Sequence, residues 1–134
     1  MSIRIARLIL CGLLTAGVMI FEGALQAHHS VAGVYDLEKE VILVGSVKKV
    51  NFTNPHSTLE LQVKNKNGSL TNWNLVTASN TVLTRQGVTS SALKAGDVVK
   101  IVALPARNGS PLGFIKFLEL GGKDVRLFLE GDQN

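Results

Sequence analysis

Cysteine is almost absent from this sequence of 134 residues, which contains a single one, Cys11. Cys11 lies in an apolar N-terminal run that we expect to be removed, so the remaining chain would have no thiol. Without a thiol the chain can form neither a disulfide bond nor a thiolate nucleophile. The same shortage excludes Cys-ligated zinc and iron–sulfur clusters.

A hydrophobic run long enough to cross a bilayer, which takes about 20 residues, is also missing. The uncharged run Leu8–Phe21 has 14 residues, follows two arginines and precedes a small residue, Ala27. This order is typical of a secretory signal peptide, and an uncleaved anchor is the less favoured alternative. We therefore expect residues 1–27 to be cleaved and residues 28–134 to form one domain. Such a product would be periplasmic or secreted, with no stable membrane anchor.

Concentrated positive charge and clustered aromatic side chains are lacking as well. The formal net charge is +4, and aromatic residues make up 5% of the chain. Binding to single-stranded nucleic acid uses a basic groove with several exposed aromatic rings. Lys48-Lys49 is a short basic pair and not such a groove, so we expect no nucleic-acid partner.

Recognised catalytic motifs are absent too. The acidic residues are scattered, the serines are not accompanied by a Gly-x-Ser-x-Gly elbow, and no glycine-rich loop could cradle a phosphate. The sequence therefore favours a protein without enzymatic activity.

The sequence does contain the alternation of apolar and polar residues that is typical of β-strands. Gly45, inside the first strand, predicts a bend or bulge, and Asn67-Gly68 predicts a hairpin turn. The predicted elements are strands over Glu40–Val50, Ser57–Lys64, Leu70–Val76, Asp97–Leu104 and Phe114–Leu120, and a short helix over Ser79–Gln86.

The order of these elements predicts the fold class. Three strands, a short helix and two further strands fit an all-β protein, namely a small five-stranded OB-like barrel after a cleaved signal peptide. A long, bent first strand can be shared by both halves of such a closed sheet. A two-sheet sandwich is the competing architecture.

The start of the expected mature chain carries a metal-binding signal. If His28 is the first residue, its α-amine and Nδ1 can chelate one divalent ion, and His29 offers a second route. Imidazole and amine donors suit Cu(II), the tightest binder among the first-row divalent ions. The α-amine loses its proton near neutral pH, because its pKa is about 7.7 to 8.0. The alternative is a mobile terminus whose two histidines are only solvated.

A further histidine, His56, follows a proline in the connector between the first two strands. Pro55 restricts the connector, so we expect the segment to be rigid. His56 has the parity of Glu60, which predicts that its side chain faces away from the Leu59 side, at the rim of the barrel. His56 could supply a third metal ligand. The alternative is a turn histidine whose ring bonds a backbone carbonyl.

Seven short motifs along the expected mature chain, taken in order, are similar to those of a known family. They are His28-His29-Ser30, Gly45-Ser46-Val47, Asn54-Pro55-His56, Trp73, Leu83 to Gly87, Leu93-Lys94-Ala95-Gly96-Asp97, and Pro105-Ala106-Arg107-Asn108-Gly109. The sequence resembles a family of small exported bacterial proteins of uncharacterised function. The resemblance implies a periplasmic OB-like domain with no established enzymatic activity. It also singles out His28, His29 and His56, which match the family pattern.

The chain departs from that family pattern at two positions. Val76 stands where the family usually has Glu, and Val88 stands where it tends to have Trp. A ligand site shaped by either residue in relatives would be altered here.

These observations predict a periplasmic, non-enzymatic ligand-binding protein. Its ligand would be Cu(II) or another divalent metal, held by the amine and imidazole of His28 and completed by His29 or His56. The alternative is an envelope adaptor or stress protein whose barrel face binds a protein or an oligosaccharide. A copper-dependent oxidase built on the N-terminal histidine ranks last, because nothing in the sequence supplies its substrate surface.

Overall fold

The computed structural model describes residues 31–128, and β-strands make up most of this part of the chain. The expected signal peptide, His28 and His29 lie outside the described residues. The elements, in chain order, are α1 Val31–Val34, β1 Val41–Asn51, β2 Ser57–Lys64, β3 Leu70–Thr77, α2 Asn80–Arg85, β4 Val98–Pro105, β5 Leu112–Leu120 and β6 Lys123–Arg126.

Five of the strands close into a barrel. β1 pairs antiparallel with β2 and with β4, β2 pairs with β3, and β4 pairs with β5. A short parallel ladder between β3 and β5, which we call the seam, completes the circuit. The seam consists of the pairs Asn74 with Leu112, Leu75 with Gly113, and Val76 with Phe114. This closure confirms the predicted five-stranded all-β barrel and rules out the two-sheet sandwich.

The structure adds two elements to the predicted five strands and one short helix. Helix α1 is a single turn, too short to show helical periodicity in the sequence. Strand β6 pairs with β5 after a turn at Gly121 and Gly122, beyond the last strand that the sequence predicts. β6 carries three charged residues around Val125, a composition typical of an edge strand rather than of a half-buried one.

Helix α2 lies where the sequence predicts it, with a serine as its N-cap and a glycine after its C-cap. Ser79 Oγ accepts a hydrogen bond of 3.3 Å from the backbone N–H of Val82 at its start. Gly87 follows the C-cap with a φ of +80°, a conformation that glycine adopts without strain. Leu83 on α2 and Leu93 in the following connector both belong to the core inside the barrel.

Gly45 marks a close approach between strands and not the predicted bend. The register irregularity of β1 lies further along, between Val47 and Lys49. A Cβ atom at Gly45 would lie 3.0 Å from the carbonyl carbon of Gln62 and 3.1 Å from Cγ of Leu61. Lack of space for a side chain therefore explains the glycine at this position.

A second, smaller cluster of buried side chains ties α1 to the outside of the barrel. Tyr35 forms an isolated bridge with Ala106, and the backbone N–H of Arg107 donates to the carbonyl of Val34 over 3.0 Å. The buried members of this cluster are Val31, Tyr35, Leu104, Phe114 and Phe128.

Within residues 31–128, no helix combines the length and the apolar character needed to cross a membrane.

Candidate functional site

Hydrogen bonds fix the connector that carries His56. Thr53 Oγ1 donates to the backbone carbonyl of His56 over 2.7 Å. The hydroxyl of Ser57, which is fully buried, donates to the carbonyl of Thr53 and accepts from its N–H. The same carbonyl also accepts from the N–H of Asn80, at the start of α2. His56 is therefore presented by a loop that is anchored to both β2 and α2, and the loop contains a cis peptide bond before Pro55.

The side chain of His56 is exposed, whereas Ser57 and Leu59 are buried. This agrees with the predicted orientation away from the Leu59 side. The ring lies edge-on to Phe114, with 6.4 Å between the ring centroids. Within the described part of the chain, no hydrogen bond reaches the imidazole, so the alternative of a ring bonded to a backbone carbonyl is not what the structure contains. Both ring nitrogens of His56 are thus open to a ligand from outside this region.

A cleft of about 160 Å³ lies beside the His56 ring, between α1 and the seam. Of the six side chains that line it, four are apolar and two, those of Tyr35 and His56, carry a polar group. The residues that line it are Val31, Val34, Tyr35, His56, Val76 and Phe114.

Phe114 orders the rings around the cleft. Tyr35, Phe128 and His56 all approach it nearly edge-on, with centroid distances of 5.7 Å, 5.5 Å and 6.4 Å. Edge-to-face packing places the positive edge of one ring on the negative face of another, which stabilises the arrangement. Phe114 is itself buried, so it gives Tyr35 and His56 a common, fixed support.

Tyr35 is the more buried of the two polar residues in the cleft wall. Burial raises the pKa of its phenol above the usual value of 10.0, so the hydroxyl stays neutral at physiological pH. Among residues 31–128, no hydrogen bond to this hydroxyl is found. A neutral phenol can both donate and accept a hydrogen bond, and this one remains available to do either.

Two of the acidic residues that the structure describes, Asp36 and Asp97, stabilise turns. Asp36 accepts a hydrogen bond from Lys39 at 2.9 Å, and this contact holds the pKa of Asp36 below its usual range. Asp97 accepts from the backbone N–H of Lys94 over 2.9 Å, as expected for a residue that stabilises the turn into β4. Within the described ranges, no three His, Cys, Asp or Glu side chains are grouped to hold a metal ion.

Of the three predicted metal ligands, the structure describes only His56. The structure places His56 at the cleft, while His28 and His29 lie outside the described residues. Whether the three come together stays a prediction.

The sequence did not indicate the cleft, because its wall is assembled from segments far apart in the chain. Tyr35 directly follows α1, Val76 belongs to β3 and Phe114 belongs to β5, and no local pattern connects them. One signal was present, since Val76 is a position where the chain departs from the family pattern. The other departure, Val88, is buried in the barrel core, away from the residues that line the cleft.

Comparison with protein families identifies the family of this chain. No curated protein and no solved structure matches the chain. A family described as being of unknown function, DUF6152, matches residues 17–115, which include β1 to β4 and the residues that line the cleft. This chain therefore belongs to DUF6152, a family of unknown function.

Proposed function

We propose that this protein is an exported, non-enzymatic binding protein that holds Cu(II) or another divalent metal at its mature N-terminus. The observation that carries the proposal is that Val31 and His56 line the same cleft. His28 precedes Val31 by three residues, a stretch of chain that can span up to about 10 Å. The amine and imidazole of His28 are thus within reach of the cleft that His56 borders.

The donor chemistry favours copper. An amine and two or three imidazoles are ligands that bind Cu(II) more tightly than other divalent first-row ions. The connector holds His56 through its backbone, while the imidazole nitrogens have no partner among residues 31–128. A ligand whose position is already fixed loses little freedom when the metal binds, so His56 can complete a chelate that His28 begins.

The position of the α-amine gives the sharpest test. The exported form is purified, its N-terminus is established by intact mass, and it is titrated with Cu(II) beside a form extended by one glycine before His28. We expect one-to-one binding that the extension abolishes, because the chelate needs a free amine on His28. Equally weak binding by both forms would refute the proposal.

The role of His56 needs a variant that keeps the ring packing. His56→Phe removes both nitrogens but retains an aromatic ring against Phe114, so the cleft wall is preserved. We expect Cu(II) to bind more weakly to His56→Phe than to the unmodified protein. Unchanged affinity would remove His56 from the site and leave His28 and His29 as the ligands.

A second candidate function, an envelope adaptor, is supported by an apolar outer face on β1 and β4. Ile42, Val44 and Val98 are 67%, 55% and 74% exposed. Ile42 and Val44 lie on β1, and Val98 lies on β4, where it pairs with Ser46, two residues after Val44. A photoreactive residue at position 98 should then form a crosslink to one partner in living cells. The exposed Asn108, in the loop between β4 and β5, is the matched control position and should give no such product.

A further inference from the structure

The cleft has the volume of a single six-membered ring. Its volume is about 160 Å³, and apolar cavities of about 150 Å³ in other proteins take up one benzene molecule. Three valines, Val31, Val34 and Val76, form the aliphatic part of the wall. A single ring therefore fills the space, and a larger ligand would extend out of the cleft.

The chemistry of the wall selects an aromatic, uncharged guest. Phe114 already packs edge-on against three rings, and a flat guest can add a further contact of the same kind. No Asp, Glu, Lys or Arg is among the residues that line the cleft. A charged guest would lose its hydration there without gaining an ionic partner, which is strongly unfavourable.

Two polar groups give the cleft a place for one hydroxyl. The hydroxyl of Tyr35 lacks a hydrogen-bond partner within the described residues, and it is not among the fully buried unpaired polar atoms of that region, so a guest can reach it. The imidazole of His56, on the same wall, also lacks one in that part of the chain. A guest hydroxyl can accept from Tyr35 and donate to the imidazole of His56, and so serve both groups at once.

We propose that this cleft binds a neutral, monocyclic aromatic alcohol of the phenol class. The ring would lie against Val76 and Phe114, and the hydroxyl would lie between Tyr35 and His56. This binding needs neither a metal nor the α-amine of His28. It shares His56 with the proposed metal site, so it is tested on the metal-free protein.

Phenol itself is the probe. The metal-free protein, in the presence of a chelator, is titrated with phenol while backbone and methyl NMR signals are followed. We expect saturable shifts at Val31, Val76 and Phe114, and about fivefold weaker binding of benzene, which lacks the hydroxyl. The absence of saturable shifts, or equal binding of benzene and phenol, would overturn the proposal.

Two variants locate the ligand. Val76→Phe fills the cleft with a ring and should abolish phenol binding. Val102→Phe, the same change at a half-exposed position on β4 outside the cleft, should leave binding unchanged. Phenol binding that survives Val76→Phe would overturn the proposal. Tyr35→Phe keeps the ring packing and should weaken phenol about fivefold while leaving benzene unchanged, so the test does not depend on one variant folding.

The two proposals can fail separately. The form with one extra glycine before His28 should lose Cu(II) and retain phenol. Tyr35→Phe, which removes only a hydroxyl that the metal site does not use, should retain Cu(II) and weaken phenol about fivefold. Loss of Cu(II) binding in Tyr35→Phe, or loss of phenol binding in the extended form, would contradict the independence of the two binding events, provided that the variant melts like the unmodified protein.

Discussion

The carbonyl group of Gln62 occupies the space that a side chain on Gly45 would need, so β1 and β2 meet at a point open only to glycine. This contact lies in the middle of the longest strand, which pairs with two neighbours and thereby joins both halves of the barrel. The strain of a larger residue would spread to both pairings.

Gly45→Ala should therefore lower the free energy of unfolding by roughly 1–3 kcal/mol, the usual effect of overpacking. From β-propensity alone, replacing a glycine within a strand by alanine would stabilise the protein by roughly 0.5–1 kcal/mol. The sign of the measured change therefore distinguishes the steric effect from the effect of propensity. Urea denaturation measures it. Ser46→Ala, at the next position, is the control and should change stability by less than about 0.5 kcal/mol.

The buried hydroxyl of Ser57 should matter more than an exposed one with as many partners. Ser57→Ala leaves the N–H of Thr53 without its acceptor and should cost about 1–3 kcal/mol. Ser69, in the exposed hairpin, bonds both Asn65 and Asn67. Ser69→Ala should cost less than about 0.5 kcal/mol. Equal losses in the two denaturation curves would mean that the Ser57 contacts do not anchor the loop.

Phe114 and Phe117 lie on the same strand and face different surroundings. Phe114→Ala removes the support of three rings and should cost about 3–5 kcal/mol. Phe117 is partly exposed and has Lys116 Nζ 5.7 Å from its ring centroid. Phe117→Ala should cost less than half as much. Thermal or chemical unfolding of the pair gives the comparison, and similar losses would argue against Phe114 as the organising residue.

Tyr35 should titrate above pH 10.0, and the chain contains no other tyrosine, so tyrosinate absorbance reports it directly. Because burial disfavours the charged phenolate, the folded state keeps its proton at pH values where the unfolded chain has lost it. Stability is therefore fully present below the unfolded pKa and falls as pH rises through the folded pKa. Tyr35→Phe should remove this part of the alkaline decline. A midpoint at or below 10.0 would contradict the burial argument.

Asp36 gives the opposite pH dependence. Its pKa is lowered chiefly by the hydrogen bond from Lys39, so its contribution to stability is present above the unfolded pKa and is lost as pH falls through the folded one. Carbon-detected NMR should place its midpoint below 3.8, and Lys39→Gln should raise that midpoint. An unchanged midpoint in Lys39→Gln would mean that another group sets the pKa.

The strands could be predicted from the sequence where side chains alternate between a buried and an exposed face. β2 has the predicted bounds, Ser57–Lys64, because its alternation is regular and turns flank it on both sides. At the following hairpin only Gly68 has a positive φ, although the turn itself is where Asn67-Gly68 indicates. Single-turn α1 and the charged edge strand β6 carry no such pattern and were missed.

The site could be predicted only in part, because the orientation of His56 depends on local sequence and the cleft beside it depends on tertiary contacts. The orientation of His56 follows from its parity in β2, which is local. The cleft depends on the contact between α1 and the seam, which are distant in the chain, and on the apolar burial of Tyr35. Contacts of this kind depend on tertiary packing, to which composition and periodicity give no access.

The position of the cleft has a consequence for how the barrel opens. Val76 and Phe114 are partners in the seam and both form the cleft wall, so parting β3 from β5 would divide the binding surface. A guest that contacts both residues can remain bound only while the seam is intact. By linkage, the guest stabilises the closed seam, and this stabilisation increases with the ratio of the free guest concentration to its dissociation constant. The rate of amide hydrogen exchange at Val76 and Phe114 would then fall as more of the protein binds its guest, so this rate would report the occupancy of the cleft.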